Sequence, residues 1–173
     1  LGKVLVRKID NKILKARIVE TEAYMGPLDK AAHSYKNRRT NRTEPMFLEG
    51  GTYIFISSMV CIIASILVLI KKIFLKLFLL ESWAFRKYRI YETIKKCKKN
   101  EDISNGPGKL TKALAIDKNL NTLNITKSAE IWLEDDNYII TNIIETKRIG
   151  IDYAEEIKIN FGVFIFQKTD MYL

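Results

Sequence analysis

Cysteine and histidine are scarce: Cys61, Cys97 and His33 are all that the 173 residues hold. There is no CxxC pair and no Cys/His cluster, which argues against a structural zinc site. Two cysteines so far apart build no disulfide framework, so the expected surroundings are reducing. Negative charge is the minority: 20 Asp and Glu stand against 29 Lys and Arg, a net +9. That balance suits a polyanion, either nucleic acid or an anionic membrane surface. A hydrophobic content of 47% excludes wholesale disorder, and the length fits one domain with a core. The chain opens on Leu1-Gly-Lys3 with no apolar leader, so a cytoplasmic protein is expected, nucleoid-associated if bacterial.

Val4, Val6 and Ile9 begin a strand, Asp10-Asn11 makes a turn, and Ile13 to Tyr24 returns as a second strand. Gly26-Pro27 breaks it. Asp29 to Ser34 reads as a short helix carrying His33, and Lys36 to Arg42 is a basic polar loop. Gly50-Gly51 is another turn, with a strand from Tyr53 to Ile56. Ile54 to Ile70 then contains no charge, Lys71-Lys72 interrupts, and Ile73 to Leu80 is again apolar. Taken literally, this resembles a membrane span of marginal length with positive flanks. Arg86 to Asn100 and Lys109 to Ile116 read as helices. Glu130 to Leu133 and Tyr138 to Ile144 read as strands.

Glu20 and Glu22 share a face of an otherwise apolar strand that ends beside Tyr24 and a Gly-Pro turn. A carboxylate there could deprotonate a water for attack on an anomeric carbon and stabilise an oxocarbenium-like transition state. Pattern alone favours reading both as solvated edge carboxylates. Tyr24 and Phe55 could stack on a flat base or simply fill a core. His33 could hydrogen-bond a base edge. Lys36, Arg38, Arg39 and Arg42 could grip phosphates or form a solvated loop. Asn105-Gly-Pro-Gly-Lys109 could present N–H groups and a lysine to phosphate, but it lacks the Walker spacing.

The segments Leu1-Gly-Lys-Val-Leu-Val-Arg7, Ile18-Val-Glu-Thr-Glu-Ala-Tyr24 and Asp29-Lys-Ala-Ala-His-Ser34 are followed by Met46-Phe47 and Gly51-Thr-Tyr53. Asn105-Gly-Pro-Gly-Lys-Leu110 with Ala113-Leu114, and Arg148-Ile-Gly-Ile151, complete the series. In this order and spacing the chain resembles the alkylpurine (3-methyladenine, alkyladenine) DNA glycosylase family over roughly two thirds of its length. The resemblance implies one α/β (α+β) domain, residues 1–173, around a curved antiparallel sheet with flanking helices. It implies that a damaged purine is rotated out of double-stranded DNA into a pocket. Glu22 then matches the acid that activates the hydrolytic water. Tyr24 and Phe55 match the aromatic walls, and His33 matches the residue that contacts the base. The backbone from Ile149 to Ile151 matches the segment closing the water site. Arg38, Arg39, Arg42 and Lys109 are the expected DNA contacts. The implied enzyme is a monomer that uses no metal and no cofactor and leaves an abasic site.

Residues 57–85 and 157–173 depart from the family pattern. After Ile56 the family continues with Tyr-Gly-Met-Tyr, whose first Tyr wedges into the duplex, then an Asn and a strand ending Leu-Ile-Arg that line the pocket. Here Ser57-Ser-Met-Val-Cys-Ile-Ile-Ala-Ser-Ile-Leu67 stands instead. Codons compatible with Ser58 onward, read from the last base of the Ser58 codon, give Tyr-Gly-Met-Tyr-Tyr-Cys-Phe-Asn-Ile. The same shift permits Ile-Pro-Glu-Ala-Val-Leu-Ile-Arg across Ile73 to Glu81, and Lys-Asp-Lys-Leu-Trp-Arg-Phe-Tyr across Lys158 to Ile165. Both departing stretches are therefore read as frameshifted coding sequence, and impaired excision is expected. Two other readings stand beside the enzyme: a non-catalytic DNA-binding remnant, and a membrane-anchored basic protein resting on Ile54 to Ile70.

Overall fold

A computed structural model describes residues 1–57, 63–70, 73–81, 111, 113–147 and 162–166. At 22–23, 55–57, 63–70, 73–81, 146–147 and 162–166 the description is of backbone only. Strands β1 (Val4–Ile9) and β2 (Lys12–Tyr24) form a hairpin whose register runs from Val4 opposite Arg17 to Ile9 opposite Lys12. Its two-residue turn places Asp10 at a positive φ of 51°, a conformation that short-chain polar residues tolerate. Strands β3 (Tyr53–Ser57), β4 (Ile63–Ile70) and β5 (Ile73–Glu81) follow. The last three are β6 (Ile131–Glu134), β7 (Ile143–Lys147) and β8 (Gly162–Phe166).

These strands make one open sheet in the order β3-β4-β5-β2-β1-β6, and every pairing is antiparallel. The long β2 is the hub. Its first half pairs with β1, its second half with β8 at Glu20 to Glu22, and its opposite edge with β5 from Arg17 to Tyr24. β7 attaches through β8.

The uncharged run behind the membrane-span reading folds, where it is described, as parts of β3 and β4, and the apolar stretch after it as β5. A short apolar run bounded by breaks fits a buried helix or a buried strand equally by pattern. Its Ile and Val content favours the strand. Among the described residues no helix is long and apolar enough to cross a membrane.

Helices are few where residues are described. Asp29 to Ser34 forms turns rather than the expected helix, flanked by single 3-10 turns at Gly26–Leu28 and Tyr35–Asn37. The Asp29 carboxylate accepts from the Ala31 and Met25 backbone N–H groups at 2.9 and 3.3 Å, a local alternative to helical bonding. Of the helix expected from Lys109 to Ile116, Thr111 and Ala113 are helical. It ends with Ala115 at φ 47° and an Ile116 N–H to Thr111 carbonyl bond of 2.8 Å, a Schellman-type closure. The Arg86 to Asn100 helix lies outside the described residues. The strand expected from Tyr138 begins only at Ile143. Asp135 accepts from the Asn137 N–H, Asn137 turns at φ 59°, and Tyr138 and Ile140 leave the sheet to pack on Val19.

The main core gathers Leu5, Leu14, Ala16, Ile18, Tyr53, Leu114, Ile116, Leu120, Ile125 and Ile131. Two glycines inside the motif series have steric reasons. Gly2 (φ 72°) faces Ile140, whose Cδ1 would lie 2.8 Å from an added Cβ. Gly51 (φ 86°) faces Thr126 and Asn124 at 2.9 and 3.0 Å, where Thr52 and Asn124 bridge β3 to the 122–126 turn. Gly51→Ala combines left-handed strain with a clash, so a loss of about 1–3 kcal/mol is expected, read as a lowered Tm.

Arg17 fastens the 135–140 segment over β2. It donates to both Asp136 carboxylate oxygens at 3.0 and 2.6 Å and to the Gly2 carbonyl at 2.7 Å, and lies 4.2 Å from the Tyr138 ring centre. The Arg17 hydrogen bond pulls the Asp136 carboxyl down from 3.8 to about 2. A carboxyl depressed in the folded state stabilises above its unfolded value of 3.8, and that contribution is lost as pH falls toward about 2. The carboxylate is 43% exposed, so the effect is on the order of 1 kcal/mol at most. Asp136→Asn should flatten acid unfolding between those two pH values, measured by melts at stepped pH.

Candidate functional site

The sheet register places the candidate residues in rows, and residues of one row share a face. Glu22 is opposite Lys76 on β5, which is opposite Ile66 on β4, which is opposite Ile54 on β3. On its other edge Glu22 is opposite Val163 of β8. Tyr24 lies two residues on and so shares that face. Ile54 is fully buried in a second cluster with Ala32, Met46 and Phe47, and half-buried Tyr24 packs against the same cluster. Glu22 therefore holds a register position on the face that carries the 25–47 loop. Phe55 falls in the next row, with Ser65, Leu77 and Thr21, so the register does not bring it to the face of Glu22 and Tyr24.

Hydrogen bonds pin that loop along its length. Asp29, fully buried, takes N–H groups from Met25 and Ala31, gives its own N–H to the Gly26 carbonyl and accepts at its carbonyl from Ala32. The chain continues with Tyr35 to Ala32 and Arg38 to Tyr35. Lys36 and Asn37 both take positive φ, 56° and 59°, which swings the basic stretch outward. Thr43, nearly buried, donates from its hydroxyl to the Arg38 carbonyl at 2.8 Å and accepts from the Thr40 N–H at 2.9 Å.

On this frame His33 is exposed, with Nε2 3.3 Å from Nη2 of Arg42. Arg39 is held in place: its Nε and Nη2 both donate to the Glu44 carboxylate, and it lies 4.6 Å from the centre of the Phe47 ring. Its hydrogen bond holds the Glu44 carboxyl below the ordinary range. Arg38 is exposed and makes no ion pair among the described residues. Lys109 and the Ile149 to Ile151 backbone lie outside the described residues. The structure thus carries His33, Arg39 and Arg42 on one anchored loop that follows Tyr24, the last residue of β2, two residues after the Glu22 position.

Sequence reading gave no role to Asp29, although it sits in a quoted motif. Its signal was available: an aspartate shortly after Gly-Pro and two residues before a turn position is an Asx-turn pattern. Nothing local in the sequence announced β8 as the neighbour of Glu22.

A wide depression of about 570 Å³ lies elsewhere, between Lys8, Ile13, Ile125, Trp132 and Leu133. Its lining comes from β1, β2, β6 and the 125–129 stretch and includes none of the candidate site residues.

A carboxylate position, an aromatic and a cationic loop at one end of a strand suit a hydrolase that works on a nucleic-acid base. Residues 1–165 match the family model described as methylpurine-DNA glycosylase. A Clostridium perfringens (strain 13 / Type A) protein is 44% identical over 168 residues, covering 90% of this chain and 82% of its own. A Clostridium beijerinckii protein is 42% identical over 166 residues, covering 90% and 81%. A Clostridium botulinum (strain Alaska E43 / Type E3) protein is 40% identical over 192 residues, covering 100% and 89%. All three are provisionally named 3-methyladenine DNA glycosylases. The chain belongs to the methylpurine-DNA glycosylase family, a family of DNA-repair hydrolases.

Proposed function

We propose that this chain descends from an N-glycosylase that excises alkylated or deaminated purines of the 3-methyladenine class from duplex DNA. The base turns out of the helix, Glu22 draws a proton from a water, and that water attacks the anomeric carbon as the N-glycosidic bond breaks. The charge of Glu22 also stabilises the oxocarbenium-like transition state. Tyr24 stacks on the base and His33 meets its edge. Arg38 and Arg42 take phosphates, while Arg39 joins them only by releasing Glu44. The observation that supports this reading most is the shared face: Glu22 holds a register position on the face of β2 on which Tyr24 packs against the cluster of Ala32, Met46, Phe47 and Ile54.

Residues 57–85 hold none of the wedge Tyr, pocket Asn or pocket Arg that the resemblance implies. Release of 3-methyladenine or hypoxanthine from duplex DNA is therefore expected to be strongly reduced against an intact relative. Affinity for the duplex should survive and fall with salt, losing roughly one unit of log–log slope per arginine removed, Arg38→Ala first. Turnover equal to that of an intact relative, abolished by Glu22→Gln, would contradict the loss. Salt-dependent binding with no base release at all would instead mark a DNA-binding remnant. Resequencing the coding DNA tests the shifted-frame origin of the two departing stretches, and an unbroken frame would sink it.

A further inference from the structure

The contact between Arg42 and His33 has only one chemically allowed form. A guanidinium carries five N–H donors and no acceptor. At 3.3 Å from Nη2, the His33 Nε2 must therefore be the acceptor and carry no proton. The neutral ring then holds its single proton on Nδ1. In water a free imidazole prefers the other arrangement, with the proton on Nε2.

We propose that Arg42 is a positioning residue that fixes His33 in the Nδ1–H tautomer. Both side chains are exposed, and a contact between two mobile surface groups would mean little. Here both are carried on pinned backbone. His33 sits between Ala32, 7% exposed, and Ser34, fully buried. The Ala32 N–H bonds the Asp29 carbonyl at 2.9 Å, and its carbonyl receives the Tyr35 N–H at 3.0 Å. Arg42 precedes Thr43, which is 3% exposed and ties Arg38 to Thr40. The two turns are thereby held at a spacing that one guanidinium bridges.

The tautomer has a consequence for what the ring can recognise. Any hydrogen bond made from its Nδ1 edge is one in which the ring donates. Resting on the base-contact role proposed for His33, the matching ligand group is an acceptor, such as a purine ring nitrogen or a 6-oxo group. An exocyclic amino group is not matched. Arg42 has further N–H groups and makes no other hydrogen bond among the described residues. A DNA phosphate can bind them while Nε2 stays occupied, so backbone engagement and ring orientation meet on one side chain.

His33 is the sole histidine, so the tautomer can be read without assignment. The full chain, ¹⁵N-labelled, is examined by long-range ¹H–¹⁵N correlation at pH 8, above the ordinary imidazole range. The expected wild-type pattern has a pyrrole-type Nδ1 and a pyridine-type Nε2. Arg42→Ala should move it to the Nε2–H pattern. Arg42→Lys, which also only donates, should restore part of the original pattern. A merely structural role for Arg42 would move the backbone amide spectrum and leave the ring pattern alone. An Nε2–H pattern in the wild type overturns the proposal, and so does an unchanged ring pattern in a folded Arg42→Ala chain. The wild-type spectrum decides even where a variant fails to fold. The Nδ1–H pattern in a chain that does not bind a hypoxanthine-containing duplex would leave the tautomer standing and remove the base-contact role.

Discussion

Glu22→Gln should lower base release by about 10²–10⁴-fold, the range for loss of a positioned general base, while duplex affinity stays unchanged. The substitution keeps size and shape and removes one charge. Backbone pairing at this position, to Lys76 on one side and Val163 on the other, does not depend on the side chain. A fall in rate without a fall in thermal stability would therefore report chemistry and not folding. Glu20 supplies the control. It lies on the same strand two residues earlier, half-buried, with a register irregularity just before it. Glu20→Gln is expected to leave release near the wild-type level. Single-turnover conditions, with the chain in excess over a hypoxanthine-containing duplex, keep slow release measurable. Equal rates for wild type and Glu22→Gln would remove the carboxylate from the mechanism.

The parts of this molecule that were legible in sequence are those whose signals are local. The β1–β2 hairpin followed from alternating Val4, Val6 and Ile9, a two-residue Asp10-Asn11 turn and the returning apolar strand. The ordered motifs marked Glu22, Tyr24 and His33, and the structure adds the shared face of the first two and the loop that carries the third. Ile54 to Ile70 was ambiguous because its polar positions, Ser57, Ser58 and Ser65, are too few to read a period. Strand pairing resolves it, with Ile54 opposite Ile66 and Leu67 opposite Leu75 in successive antiparallel pairs. The pairing of Glu22 with Val163 bridges most of the chain and leaves no local trace. Phe55 was chosen for its chemistry, and only the register across β3, β4, β5 and β2 shows which row it joins. The basic loop was read as a set of equal cations. The structure distinguishes them, because Glu44 five residues from Arg39 and Phe47 beneath it engage one guanidinium and leave Arg38 to solvent.

Asp29→Ala is expected to cost about 2–4 kcal/mol, the sum of two backbone N–H groups deprived of a charged acceptor inside the protein. For a chain of this length that corresponds to a Tm lower by roughly 5–15 °C. Asp29 is fully buried, and its carboxylate joins Met25, the residue after Tyr24, to Ala31, two residues before His33. One side chain therefore sets the distance from the end of β2 to the turn that carries the base-contact candidate. Asp29→Asn keeps a single carbonyl acceptor and should fall between wild type and alanine. Its amide nitrogen would face a backbone N–H, so one of the two bonds is lost and replaced by donor against donor. Amide exchange localises the effect: the Ala31 and Met25 protons should exchange faster in both variants, while Leu5 and Ile131 in the main core keep their protection at temperatures below the melt. Melts and exchange unchanged in Asp29→Ala would show that the carboxylate does not hold the loop. The loop that carries His33 beside the end of β2 would then need another fastening, and the buried Thr43 hydroxyl, tied to Arg38 and Thr40, is the next group in the loop able to provide it.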